Sequence, residues 1–312
     1  MLCKQKIIII TGPTATGKTE IGIRVAKEIG GEIISVDSRQ IYRYMDIGTA
    51  KPDKFEQGQI PHHFIDIINP DQRYNAGQFG RSARQCIEAM GKRGIVPVLV
   101  GGSGLYLKAI LDGFFADPED YSEIRRILQR RLAGEGLETL FNELKELDPQ
   151  AWKRLSNRDA QRILRALEIA HLRGENPSQC IEREPEEPLD CIPIAFCLNM
   201  EREALYKKID ARFESMLKRG FIEEVQNLVK MGFGRDSCGL ETFGYKELLD
   251  FLEGTRSLVE AGEIIKRKSR QYAKRQLTWF RKDRRLRWLD VNVWGLRGSG
   301  ERIIAQYFAT VN

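Results

Sequence analysis

Gly12-Pro13-Thr14-Ala15-Thr16-Gly17-Lys18-Thr19 has the glycine, lysine and hydroxyl spacing of a phosphate-binding loop, GxxxxGK[ST]. It follows the apolar run Ile7 to Ile10 and opens a helix expected from about Thr19 to Ile29. In that context backbone N–H groups converge on phosphate oxygens at the positive end of a helix. Lys18 adds a point charge, and the Thr19 hydroxyl can ligate Mg²⁺. An ordinary glycine turn is the alternative, and the strand–loop–helix setting argues against it. The loop predicts a bound diphosphate or triphosphate and leaves open which compound carries it.

An ATPase of this kind usually ends a neighbouring strand in an acid that holds Mg²⁺. Here the run Ile95 to Val100 leads into Gly101-Gly102-Ser103, so a hydroxyl, Ser103, stands where that acid would be. The strand-end acid is Asp37 instead, within Ser35-Val36-Asp37-Ser38-Arg39-Gln40. A carboxylate beside a phosphate cradle can hold metal-bound water or accept a proton from a nucleophile. Its alternative role is an N-cap for the following segment.

The net charge is +6, and its distribution matters more than its size. Between Lys266 and Arg287 eleven Lys/Arg face a single acid, Asp283, so this stretch carries +10 and leaves −4 elsewhere. Tyr272, Trp279 and Phe280 interleave with those cations, the combination that single-stranded RNA recognition uses for phosphates and splayed bases. A solvated helix with core aromatics is the competing reading. Arg158, Arg162 and Arg165, at i, i+4 and i+7 of a helix expected to start near Asn157, form a second positive face opposite Ala160, Leu164, Leu167 and Ala170. His62-His63 is expected to be structural, because adjacent residues diverge on any regular element and the remaining histidine, His171, lies far along the chain.

The elements that position these groups follow from their patterning. Ile7 to Ile10, Ile33 to Val36, Ile95 to Val100 and Ile192 to Leu198 are continuous apolar runs, as strands buried on both faces show. Alternation with helices predicts an α/β fold: a parallel, phosphate-loop-type sheet flanked by helices, formed by residues 1–116 and 191–312. Residues 117–190 are expected to form an all-helical insertion domain, ending in an acidic, proline-broken linker from Glu182 to Asp190. The 42% apolar content excludes a disordered chain, and no apolar run approaches the roughly 18 residues of a membrane span. The six cysteines form no CxxC pair, which predicts reduced thiols in a soluble cytoplasmic protein.

The loop GPTATGKT, the segment Ser35 to Pro52 with its Gly48-Thr49-Ala50-Lys51-Pro52, Pro61 to Ile67, Val100 to Tyr106, and Arg270 to Arg281 together resemble the bacterial tRNA dimethylallyltransferases, also called tRNA isopentenyltransferases. The resemblance runs in order from Lys6 to about Leu289. It implies transfer of a dimethylallyl group from dimethylallyl diphosphate to N6 of adenosine 37, beside the tRNA anticodon, with Mg²⁺. It assigns the phosphate loop, Gly12 to Thr19, to the donor's diphosphate, with Arg212 reaching it and Thr19 near the metal. Asp37 becomes the base that accepts the N6 proton, and Ser103 matches a catalytic position usually held by threonine. It also implies tRNA contacts at Asp37, Ser38, Arg39, Gln40, Ser103, Arg125, Gln161, Arg162, Ile163, Leu164 and Arg165. Further contacts fall on Glu241, Thr242, Phe243, Gly244, Tyr245 and Lys246, and on Lys274, Arg275, Gln276, Leu277, Thr278, Trp279, Phe280 and Arg281. Thr242-Phe243 replaces a pair that is usually small or aliphatic. A tRNA anticodon stem-loop is the expected partner of a monomer that touches no membrane.

Three other readings compete. An isopentenyltransferase acting on free AMP, ADP or ATP needs the same pocket and no RNA grip, so the helical insertion and basic tail count against it. A small-molecule kinase lacks its strand-end acid here. The pairing of Asp37 with an intact Lys18-Thr19 counts against a non-catalytic, nucleotide-gated RNA-binding protein without excluding it.

Overall fold

A computed structural model describes residues 4–114, 121–183 and 187–311. The chain enters through β1 (Gln5–Thr11), α1 (Lys18–Ile29), β2 (Gly31–Ser35), α2 (Lys54–Gln59), β3 (His62–His63), α3 (Ala76–Lys92), β4 (Val96–Gly101) and α4 (Gly104–Leu111). Five helices follow: α5 (Ser122–Glu135), α6 (Leu137–Leu147), α7 (Pro149–Arg154), α8 (Ala160–Arg173) and α9 (Pro177–Arg183). It closes with β5 (Cys191–Asn199), α10 (Arg202–Lys218), α11 (Phe221–Lys230), α12 (Tyr245–Leu252), α13 (Leu258–Phe280), β6 (Arg287–Asp290) and α14 (Val291–Val311). Two compact units result, one of residues 1–111 and 189–312, the other of residues 112–188.

In the first unit all six strands run parallel in the order β3-β2-β4-β1-β5-β6. Successive side chains of a strand point to opposite faces, and β1 shows why its isoleucines are continuous. Ile7 and Ile9 enter the core layer of α3, α4 and α10 to α13; Ile8 and Ile10 enter the layer built on α1 and α14. Leu99 of β4 and Cys197 of β5 join the first layer, Val98 and Leu198 the second. Burying each such isoleucine contributes roughly 1.5–3 kcal/mol.

Two strands were not expected from the sequence. β3 is a two-residue edge strand and β6 a four-residue one in which Arg287 and Trp288 stay exposed, so neither carries a buried apolar run. β1 lies between β4 and β5: the chain passes from β1 to β2 on one side and adds β5 and β6 on the other only later. The crevice beyond the carboxyl ends of strands at such a reversal is where ligands bind. The phosphate loop follows β1, Asp37 follows β2 and Ser103 follows β4, all at that end.

The second unit packs α5 to α8 around Leu128, Leu140, Leu144, Ile163 and Leu167. Here the expected register is corrected. Asp159 accepts from the Arg162 N–H at 3.3 Å and starts α8 at Ala160, which leaves Arg158 in the preceding turn, off the helix face. Of the expected face, Leu167 and Ala170 are buried, while Ile163 and Ala166 take the places of Ala160 and Leu164, which are only partly buried. Arg165 and Arg125 are committed internally. The buried Glu168 carboxylate accepts from Arg125 at 2.6 and 2.8 Å and from Arg165 at 3.1 Å, and the Arg165 guanidinium lies 4.1 Å from the Tyr121 ring centre. Of the expected acidic linker, residues 184–186 lie outside the described residues.

Candidate active site

The phosphate loop is held before any ligand arrives. Gly12 has φ 142°, and a Cβ there would stand 2.6 Å from the Leu198 carbonyl oxygen, so the loop can lie on β5 only as glycine. The buried Thr16 hydroxyl donates to the Pro13 carbonyl at 2.9 Å. Gly17, at φ 84°, turns the chain into α1. Lys18 Nζ donates to the Pro13 carbonyl at 2.7 Å, and Arg212 Nη1 donates to Thr14 Oγ1 at 3.1 Å. Gln276, buried on α13, accepts from the Thr14 N–H at 3.0 Å and donates to the Gly102 carbonyl at 2.8 Å. It therefore ties the phosphate loop to the turn after β4.

A cavity of about 610 Å³ opens on this loop. Its wall includes Thr14, Ala15, Gly17, Lys18 and Thr19, then Asp37, Ser38, Arg39 and Gln40, and the turn Thr242 to Gly244. Gly12, Pro13 and Thr16 shape the loop from behind that wall. From α10 come Ile209, Arg212, Phe213 and Met216, at i, i+3, i+4 and i+7, so the arginine and three apolar side chains share one helical face. Tyr272 and Ile265 of α13 and Phe221 of α11 extend the apolar side.

The charges inside act on one another. Removal from water, with repulsion from Arg212, pulls the Lys18 ammonium down to about 8, while Asp37 opposes that shift. Burial lowers Arg212 as well, again opposed by Asp37. Burial and then the Asp37 charge keep the Tyr272 hydroxyl protonated far above the phenol range. The Asp37 carboxylate thus lies within electrostatic reach of both cations bonded to the loop, Lys18 and Arg212, and of an aromatic wall. Its Oδ1 accepts from the Arg39 N–H at 2.9 Å, which fixes a turn and makes no helix cap. The site can hold an anionic leaving group on one side, a planar or apolar group on the other, and take a proton between them.

Several residues expected to touch RNA are placed elsewhere. Ile163, Tyr245 and Phe280 are almost wholly buried, leaving their side chains no RNA-facing surface, whereas Thr242, also buried, lines the cavity. Leu277 packs against the core, and Gln276 holds the loop as described. Ser103 immediately precedes α4, just behind the cavity wall, its N–H donating to the Val36 carbonyl at 3.1 Å. The wall residues Ile209, Phe213 and Met216 were missed, although the helical period around Arg212 carries their signal. Glu224, described below, carries none.

The family model described as IPP transferase matches residues 40–283, and one described as isopentenyl transferase matches residues 5–69. The chain belongs to the IPP transferase family. A tRNA dimethylallyltransferase of Pelotomaculum thermopropionicum is 44% identical over 291 residues, covering 92% of this chain and 91% of that one. The tRNA delta(2)-isopentenylpyrophosphate transferase of Staphylococcus epidermidis superposes with TM-score 0.72 at 36% identity, over 98% of this chain and 100% of its own. A eukaryotic dimethylallyltransferase acting on tRNA superposes with TM-score 0.79 at 27% identity, over 99% and 80% respectively.

In this IPP transferase the basic tail divides along α13. Lys266 pairs with Glu214 at 2.6 Å, Lys268 with the buried Glu247 at 2.6 Å, and Arg270 with Asp210 at 2.7 Å, so those charges are spent within the fold. Lys274, Arg275, Arg281, Lys282 and Arg284 are exposed and, among the described residues, have no carboxylate within 4 Å. Lys274, Arg275, Thr278, Trp279 and Lys282 line a shallow hollow of about 320 Å³. Cations around a half-exposed indole are suited to phosphates and an unstacked base.

Proposed function

We propose that this enzyme transfers a dimethylallyl group from dimethylallyl diphosphate to N6 of adenosine 37 in tRNA, beside the anticodon, releasing diphosphate. The observation that carries this reading is the shared cavity, where Lys18 and Arg212 face a phosphate loop and Asp37 faces the same space. An exocyclic adenine amine is a weak nucleophile because its lone pair is delocalised into the ring. Allylic C1 becomes a good electrophile as its diphosphate is drawn away. As the C1–O bond breaks and the C–N bond forms, negative charge grows on the diphosphate, where Lys18, Arg212 and the loop amides meet it. Asp37 accepts the N6 proton. The base must leave its stack, which costs a few kcal/mol and least in a single-stranded loop.

A hard divalent ion such as Mg²⁺ suits the oxygen donors on this wall, with the Thr19 hydroxyl as the residue that would hold it beside the diphosphate. When bound it supplies further countercharge to the leaving group. Among the described residues no helix is long and apolar enough to cross a membrane. The reading includes a monomer at work in the cytoplasm, gripping the stem-loop with α13 and with Gln161 and Arg162, exposed on α8.

Purified protein given labelled dimethylallyl diphosphate and unmodified tRNA is expected to yield labelled N6-alkyladenosine in RNA without ATP. Label in free AMP and none in tRNA would transfer the assignment to a nucleotide-specific enzyme. RNA affinity is also expected to fall with salt by about 0.7 log unit per log unit for each phosphate neutralised. If Lys274, Arg275, Arg281, Lys282 and Arg284 each hold one phosphate, the slope is about −3.5. Fluorescence titrations across a salt series measure it, and a flat response removes α13 from the interface.

A further inference from the structure

The segment Asp46 to Pro52 contains Gly-Thr-Ala-Lys-Pro, one of the stretches that carry the resemblance, and the chemistry above gives it no task. Gly48, Thr49, Ala50, Lys51 and Pro52 all line the cavity. The segment is strained: Ala50 has φ 47°, a left-handed conformation that a residue with a Cβ adopts only when its surroundings impose it. Strain of this kind clusters at ligand clamps, and here the imposing groups can be named.

Glu224 of α11 is the principal one. Its carboxylate accepts from three successive backbone N–H groups, of Asp46 at 2.9 Å, Ile47 at 2.6 Å and Gly48 at 3.1 Å. Consecutive amides converging on one anion form a strong, directional cradle. The fully buried Tyr245 donates its hydroxyl to the same carboxylate at 2.6 Å. Tyr245 adjoins the cavity-lining turn Thr242 to Gly244, so one carboxylate joins two cavity walls that are distant in sequence. A Cβ on Gly48 would collide with the Phe221 ring and come within 2.6 Å of Tyr245 Cε2, so the segment is pressed onto this pair. From the other flank, the almost wholly buried Lys51 side chain donates to the Tyr42 carbonyl at 2.8 Å and to Asp46 and Asp66 at 2.5 Å each. Gln40, three residues beyond Asp37, donates to the Ala50 carbonyl at 3.1 Å.

We infer that Glu224 is a positioning residue, holding the strained wall Gly48 to Pro52 in register with Asp37 so that the extruded adenine docks with N6 at that carboxylate. The inference rests on the proposed acceptor chemistry. It separates docking of the base from binding of the RNA, which the exposed cations of α13 and the turn after it govern, and from binding of the donor, which Lys18 and Arg212 govern. A loosened wall therefore lowers the fraction of bound complexes with the base in place. That loss falls on kcat, while substrate affinities persist.

Glu224→Gln keeps the shape and removes the charge that gathers the three amides. It is expected to lower the single-turnover rate about tenfold or more at saturating donor and RNA. Dissociation constants for inorganic diphosphate and for the stem-loop should stay within about twofold of wild type. Tyr245→Phe keeps the buried ring, deletes only the hydroxyl bond, and should show a smaller fall of the same kind; it carries the test if the Gln variant does not fold. Gly48→Ala should reproduce the Gln variant, and the double variant should lose little more than either single one, because both act through one contact. A rate within twofold of wild type in the folded variants overturns the inference. Parallel losses of diphosphate and RNA affinity also overturn it, since they make the carboxylate a general prop of the fold. A wild-type enzyme that alkylates no RNA instead removes the function on which the inference stands.

Discussion

Replacing Asp37 with asparagine is expected to lower the single-turnover rate of alkyl transfer by on the order of 10²–10⁴, the range of a positioned general base. The carboxylate has two oxygens with separate tasks. Oδ1 accepts from the Arg39 N–H at 2.9 Å and fixes the turn after β2, which leaves Oδ2 for the substrate. Asparagine keeps an oxygen for that turn, so the loop holds its shape and RNA affinity should change by less than a factor of about three. Proton acceptance is what disappears. Because the alkylated amine must shed its proton to yield neutral product, the loss belongs to kcat under saturating conditions, and rapid quench with pre-bound stem-loop isolates it. A near-normal rate in that experiment would falsify the assignment of Asp37 as the base. Equal losses in rate and RNA affinity would make it a turn-former only.

The sequence exposes this site unevenly, and the unevenness has physical causes. β1 is legible because a strand buried on both faces needs an unbroken run such as Ile7 to Ile10, and the loop after it needs glycines wherever backbone meets phosphate. β3 and β6 are not legible, because short edge strands are stabilised by pairing with β2 and β5 and carry histidine, arginine and tryptophan where a buried strand carries isoleucine. The basic tail misleads in a similar way. A count of charges gives +10, yet Lys266, Lys268 and Arg270 are neutralised by acids on α10 and α12, contacts that only folding creates. Gln276 reads as one more polar residue in that run and is instead buried against two backbone groups, in the turns after β1 and β4. On α8 a single cap, Asp159, shifts the helix start and removes Arg158 from the expected face. Glu224 is the strongest case. One carboxylate satisfying three amides about 180 residues away in the chain has no local spacing by which it could be found.

Lys18→Met is expected to reduce kcat/KM for the donor by about 10²–10³, the cost of losing one preorganised group that meets charge developing on a leaving oxyanion. The reason the loss is large also gives the enzyme a pH dependence. Burial and the neighbouring Arg212 bring the ligand-free ammonium down to about 8 from 10.5, so the lysine loses its proton as the pH rises past mildly alkaline values. Diphosphate attracts only the protonated form. Donor affinity should therefore weaken above about pH 8, by up to tenfold per pH unit, with a proton taken up on binding; calorimetry in buffers of different ionisation enthalpy reads both. The same shift has the opposite sign for folding. The folded chain binds this proton less tightly than the unfolded one, so a destabilising contribution is fully present below about pH 8 and is relieved as the pH rises toward 10.5. In Lys18→Met the extra pH dependence of binding and the alkaline gain in stability should vanish together, as ligand titration and urea unfolding at pH 7 and 9.5 can establish. If only the binding dependence vanishes, the titrating group senses the donor without being strained by the fold. If neither changes, the proton resides elsewhere, and the loop holds its phosphates through backbone amides and Arg212 alone.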